Sequence, residues 1–157
     1  MFLDVEGGVW MTQKKNEQPI VKIEDLPAIK FISHNRKHSL FLDYSGCVWS
    51  RGDNKSGQLG LGDCISRTSS EKVPSSELFT AISTGDHHTL FLTEIGQVYG
   101  CGSNNVDQLG LMGGTARNCY ENLTLIPGLP LISIVCAGTQ HSIFVDGRRL
   151  LGMWRQL

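Results

Sequence analysis

The chain has 157 residues, of which 40% are hydrophobic, enough length and apolar content to build a core, so a disordered polypeptide is excluded. Its formal net charge is -1 and its adjacent basic pairs are only Lys14-Lys15, Arg36-Lys37 and Arg148-Arg149, so no basic stripe exists to neutralise phosphates and direct nucleic-acid binding is disfavoured. The five cysteines include no C-x-x-C pair, which argues against a disulfide framework or zinc ribbon, and no membrane span or secretory signal is predicted, so reduced thiols and an intracellular location, cytoplasmic or nuclear, are expected.

Phe2-Leu3-Asp4-Val5-Glu6-Gly7-Gly8-Val9-Trp10 places two apolar stretches around a glycine-closed turn, which predicts a hairpin. A polar run, Gln13 to Gln18, follows it. Ile29-Lys30-Phe31-Ile32 predicts a strand leading to Asn35, a residue type that tolerates positive φ, so a second tight turn is expected there. In His38-Ser39-Leu40-Phe41-Leu42-Asp43, Leu40 and Leu42 fall on one face and Phe41 on the other, the pattern of a strand sandwiched between layers. Asp43-Tyr44-Ser45-Gly46 suits a type I turn closed by a left-handed residue, and Cys47-Val48-Trp49-Ser50 returns from it. In the next segment, Gly52, Asn54 and Gly60 serve a compact loop, Leu59 fills apolar space and Gln58 bonds loop backbone. Gly62 to Glu71 reads as a surface stretch, and a short fourth strand is expected near Lys72-Val73-Pro74.

The same text then recurs fifty residues later. Phe79-Thr80-Ala81-Ile82 leads to Gly85 in the place of Asn35, and His88 opens a strand repeating Leu40-Phe41-Leu42 as Leu90-Phe91-Leu92. Gly96, Tyr99, Gly102, Asn104, Gln108, Leu109 and Gly110 stand where Gly46, Trp49, Gly52, Asn54, Gln58, Leu59 and Gly60 stood. Asp107 replaces Gly57, and since aspartate tolerates the left-handed region, the same loop geometry is expected. Met112 to Asn122 is the second surface stretch, Thr124-Leu125-Ile126-Pro127 the second fourth strand, and Ile132-Ser133-Ile134-Val135, Gly138 and His141 begin a further copy. The repeat frames are 1-37, degenerate and lacking the loop motif, 38-87, 88-140, and 141-157, the start of another unit. Four antiparallel strands in a period of about fifty residues predict a propeller blade. The expected fold is all-β: a partial β-propeller of about three antiparallel four-stranded blades, some incomplete. The chain starts inside one hairpin and stops inside another, the pattern expected of a fragment, a divergent remnant or a truncated gene model.

The combination G-x-V-W/Y, G-x-N-x-x-x-Q-L-G and G-x-x-H-S/T-L/I-F closely resembles the repeat of the regulator of chromosome condensation family. Seven such blades usually close a propeller in that family. The resemblance implies a fold more surely than an activity, because family members include an exchange factor for the small GTPase Ran, photoreceptors and propellers attached to ubiquitin ligases.

His38, His88 and His141 could be imagined as metal ligands, yet their equivalent positions favour the same structural bond within each turn. Gly57 to Gly62 is glycine-rich but lacks the lysine and helix of a phosphate-binding loop. No catalytic residue, cofactor or metal is therefore expected. Asp63, Arg67, Arg117 and Tyr120 in the two surface stretches are the candidate interface residues. Two functions stay open: a protein-interaction module without chemistry, and a guanine-nucleotide exchange factor for a Ran-like GTPase. Self-association through open blade edges is also expected.

Overall fold

The computed structural model describes residues 1–12, 20–111 and 118–153. Strands β1 (Phe2–Leu3), β2 (Val9–Thr12) and β3 (Ile20–Lys22) form a first, three-stranded sheet. Strands β4 (Ile29–His34), β5 (His38–Asp43), β6 (Val48–Gly52) and β7 (Arg67–Lys72) form the second. Strands β8 (Phe79–Thr84), β9 (His88–Thr93), β10 (Val98–Ser103) and β11 (Cys119–Leu125) form the third. The last comprises β12 (Ile134–Ala137), β13 (Ser142–Val145) and β14 (Leu150–Met153). Every pairing is antiparallel between sequence neighbours, so each sheet is a meander. Among the described residues, no helix is long and apolar enough to cross a membrane.

The alternation in the central strands sets the stacking. Phe41 points back to Val9, Ile23 and Ile29, while Leu40 and Leu42 on the other face pack with Val48, Val73, Phe79 and Phe91. The next unit repeats this, since Phe91 faces the second sheet and Leu90 and Leu92 join Ile132, Val135 and Phe144 towards the last. Each of the two middle sheets therefore buries both faces, and three apolar layers separate four sheets. The sheets begin at Ile29, Phe79 and Ile134, one strand before the histidines that open the sequence frames.

The hairpin turns close on glycines with φ of 83° at both Gly46 and Gly96. Each turn then holds the following sheet: the Phe79 N–H donates to the Gly46 carbonyl at 2.8 Å and the Ile132 N–H to that of Gly96 at 2.9 Å. Two expectations are corrected here. The fourth strands start well before the proline-ended segments Lys72-Val73-Pro74 and Thr124-Leu125-Ile126-Pro127, at Arg67 and Cys119, so the stretch from Arg67 to Glu71 lies in a sheet edge rather than a loop. The backbone at Asn35, Gly85 and Gly138 is not left-handed either. The glycines are there for space: a Cβ would fall 2.2 Å from the His88 ring at Gly85 and 2.3 Å from the His141 ring at Gly138. Asn35 meets the turn differently, its Oδ1 accepting the N–H of Lys37 at 2.7 Å and of His38 at 3.0 Å.

Candidate functional site

The repeated residues converge at the seams between sheets. In the 53–60 loop the Asn54 Oδ1 accepts the Leu59 N–H at 2.9 Å, and its amide donates to the Asp63 carbonyl at 2.9 Å. Asn104 does the same work, accepting from the Leu109 N–H at 2.8 Å and donating to the Leu111 carbonyl at 2.8 Å. Gln58 and Gln108 each accept a loop N–H, from Ser56 at 2.9 Å and Val106 at 3.0 Å. Leu59 and Leu109 are buried. Gly57, with φ 78°, and Asp107, with φ 58°, occupy the left-handed region at the same place in the two loops. Gly60 and Gly110 follow them with positive φ. At Gly52 and Gly102 an added Cβ would lie 2.5 Å from the Lys37 carbonyl and 2.3 Å from that of His87, so the returning strand can approach the histidine turn only there without a side chain.

The histidines do not confine their bonds to their own turns, contrary to expectation. The His38 Nε2 lies 3.0 Å from Thr89 Oγ1, and the His88 Nε2 lies 3.1 Å from Ser142 Oγ, each hydroxyl belonging to the following sheet. Thr89 donates its single proton to the Gln58 carbonyl at 2.8 Å, and Ser142 donates its own to the Gln108 carbonyl at 2.6 Å. Each hydroxyl must then accept from histidine, which assigns the Nε2–H tautomer to both rings. A histidine of one sheet, a hydroxyl of the next and a loop carbonyl of the first thus form a latch across the seam.

Burial drives the imidazoles neutral, lowering His38 to about 3 and His88 to about 4, with the neighbouring His88 and His141 adding to the respective shifts. Asn35 Nδ2 approaches His38 Nδ1 at 3.3 Å, and with glycine in that place the buried His88 Nδ1 has no hydrogen-bond partner among the described residues. The same Asn35 amide donates to the Gly85 carbonyl of the next sheet. His141 is exposed, as is His34, while His87 is half-buried and accepts from Lys37 Nζ at 2.6 Å.

One repeated pair escaped the sequence reading. The Trp49 indole N–H donates to Asp43 Oδ2 at 3.2 Å and that of Trp10 to Asp4 Oδ2 at 2.7 Å, the other oxygen of each carboxylate accepting turn N–H groups. The Trp10 bond is the main cause of an Asp4 carboxyl below its ordinary range. The signal was present: aspartate six residues before tryptophan in two hairpins, with threonine and tyrosine at Thr93 and Tyr99 in the third. Tyr99 instead packs edge-on against Phe79, the ring centroids 6.0 Å apart.

The candidate interface residues are occupied internally. Arg67 on β7 reaches Asp63 Oδ2 at 2.6 Å, Glu71 Oε1 at 2.7 Å and the Ile65 carbonyl, bracing the loop against the strand. The Arg67 hydrogen bond is also the main cause of a lowered Asp63 carboxyl. Tyr120 is half-buried against the third core layer, with its hydroxyl buried, so it offers no free aromatic anchor. Arg117 lies outside the described residues. Exposed apolar side chains gather instead at the opposite end of the sheets: Tyr44 and Ile95 on the hairpin turns, and Leu78 and Leu131 immediately before β8 and Ile132.

Four meandering antiparallel sheets stacked face to face define the chain as part of a β-propeller. The sequence profiles of the regulator of chromosome condensation (RCC1) repeat match residues 29–58 and 79–108 in one form, and 45–92 and 96–145 in another. The chain belongs to that repeat family. Among solved structures, yeast RCC1 (Prp20), in a complex with Kap60, is similar over 92% of this chain and 38% of its own, with a TM-score of 0.79 and 23% identity. Prp20p of Saccharomyces cerevisiae matches over 87% of this chain and 35% of its own, with a TM-score of 0.76 and 21% identity. Human WBSCR16 matches over 83% and 34%, with a TM-score of 0.75 and 20% identity. The chain thus spans little more than a third of the length of these propellers. No curated protein sequence matched.

Proposed function

We propose that this chain is an intracellular protein-interaction module built from RCC1-type repeats, without chemistry of its own. The observation that carries the reading is the apolar rim. Leu78 and Leu131 hold the same place in successive units, each beside a turn glycine: a Cβ at Gly46 would touch that of Leu78 at 3.0 Å, and one at Gly96 would touch that of Leu131 at 3.1 Å. Both leucines are more than half exposed, as are Tyr44 and Ile95 on the turns. The turn-to-sheet hydrogen bonds at Gly46 and Gly96 hold these side chains on rigid backbone, so little ordering entropy opposes docking. The solved relatives support a protein partner in kind, since one is yeast RCC1 bound to Kap60 and another was described with its binding properties to Gsp1p and histones.

Affinity capture with the wild-type chain and with Leu78→Glu and Leu131→Glu tests this reading. Partners that bind the wild type and Arg67→Ala but are lost from both rim variants support it; an unchanged set of partners refutes it. The likeness to yeast RCC1 favours a second reading, exchange of guanine nucleotide on a Ran-like GTPase. Tenfold faster release of fluorescent nucleotide, about 1.4 kcal/mol off the barrier, would establish that reading over the first.

A further inference from the structure

We propose that Cys64, Cys119 and Glu121 form a binding site for a soft divalent cation of the zinc class. Cys119 and Glu121 are alternate residues of β11, so both side chains leave the same face of that edge strand. Cys64 comes from the loop between β6 and β7 of the preceding sheet. The two Sγ atoms and a carboxylate oxygen lie within 4.8 Å of one another, and Cys64 Sγ is 3.3 Å from Glu121 Oε1. A tetrahedral zinc site with Zn–S near 2.3 Å and Zn–O near 2.1 Å separates its ligand atoms by roughly 3.5–3.8 Å, so the three groups need to move little to share one ion.

Both halves of the site are held from behind. The Gly62 N–H donates to the Glu121 carbonyl at 3.0 Å, joining the loop to the strand beside the ligands. Asp63, next to Cys64, accepts from Asn54, from the Ile65 N–H at 2.8 Å and from Arg67, which fixes the loop and commits that carboxylate elsewhere. Thiolates discriminate against magnesium and calcium, and two of them with one carboxylate suit zinc. Binding releases the thiol protons to solvent, leaves a fourth position for water, and ties the second sheet to the third. The other three cysteines sit apart from this set: Cys101 is buried against the Gln58 carbonyl with its thiol pushed up by burial, Cys47 is half-buried and Cys136 exposed.

The test titrates zinc, and cobalt as its spectroscopic substitute, into the full chain kept reduced by a phosphine. One equivalent should bind, with a thiolate-to-cobalt charge-transfer band. Cys64→Ser and Cys119→Ser should each abolish that band and weaken zinc binding at least tenfold. Glu121→Gln should weaken binding while keeping the band, and Cys47→Ser and Cys136→Ser should change neither. Should the buried Cys119→Ser chain fail to fold, the half-buried loop variant Cys64→Ser decides. The proposal is overturned if no band appears, if the band survives in Cys64→Ser, or if mass mapping finds Cys64 and Cys119 joined as a disulfide in place of bound metal.

Discussion

His38 Nε2 stands 3.0 Å from Thr89 Oγ1 across the seam between the second and third sheets, and the same hydroxyl donates to the Gln58 carbonyl at 2.8 Å. All three residues are buried, so deleting the hydroxyl orphans the His38 Nε2–H donor and leaves the Gln58 carbonyl only the weak Cys101 thiol at 3.4 Å. At about 1–3 kcal/mol for a buried group left unpaired, Thr89→Val should cost about 1–3 kcal/mol despite conserving shape. Thr89→Ser keeps the latch, as Ser142 does in the next seam, and should cost less than about 1.5 kcal/mol for its lost methyl group. Urea denaturation of the two variants checks the ordering, and equal midpoints would remove the latch from the account of stability.

Acid should weaken the same seams. Unfolded histidine titrates near pH 6.5, whereas burial, the largest cause in both cases, lowers folded His38 to about 3 and His88 to about 4. Below pH 6.5 the unfolded chain binds more protons than the folded one, so stability is complete above that pH and drains as pH falls towards 4 and then 3. At pH 5 each histidine removes up to about 2 kcal/mol. Denaturation midpoints at pH 7 and pH 5 measure the loss, and a flat profile between them would contradict neutral buried rings.

Much of this architecture was legible because a repeat reports its constraints twice. The opposite parity of Phe41 and Leu40 predicted a strand buried on both faces, and the exchange of Gly57 for Asp107 predicted a left-handed residue; both are found. The direction of the histidine bond was not legible. Equivalence of His38 and His88 says that their surroundings match, but not that the neighbour filling each site comes from the next unit. Thr89 and Ser142 read as ordinary strand residues for the same reason. Asn35 and Gly85 looked alike through a shared tolerance of positive φ, whereas one bonds the turn and the other clears space for a ring. Residue type favours Arg67 as an interface anchor, whereas the carboxylates four residues away on either side, Asp63 and Glu71, already point to internal pairing.

The paired loop positions should respond unequally to substitution. Asp107 pays for its φ of 58° in a region that costs an L-residue roughly 1–2 kcal/mol, so Asp107→Gly should be neutral or stabilising by up to about 1 kcal/mol and Asp107→Val destabilising. Gly57 has a similar φ, but a Cβ there would lie 2.7 Å from Glu121 Cα and 2.9 Å from the Tyr120 carbonyl, backbone that cannot swing aside. Gly57→Asp should therefore lower the thermal midpoint clearly, although the other loop carries that residue naturally. Similar midpoints for Gly57→Asp and the wild type would show that the strand and loop do not meet this closely.

The last sheet predicts how the chain behaves in solution. Ile143 and Val145 hold the register of Leu40 and Leu42 in the second sheet and of Leu90 and Leu92 in the third, yet they are only half-buried where those four leucines are covered by a following sheet. His141 is likewise exposed at the place where His38 and His88 are buried, and Leu150 on β14 is 68% exposed. This face carries the side chains of an inter-sheet layer without its other half, and apolar surface of that kind drives association. Sedimentation velocity over a hundredfold range of concentration should show reversible self-association. Val145→Lys should shift it towards monomer by placing a charge where a second copy would pack, without touching the buried cores of the preceding sheets. A wild-type chain that sediments as a monomer throughout, with a cooperative thermal transition independent of concentration, would show that the face is tolerated in water.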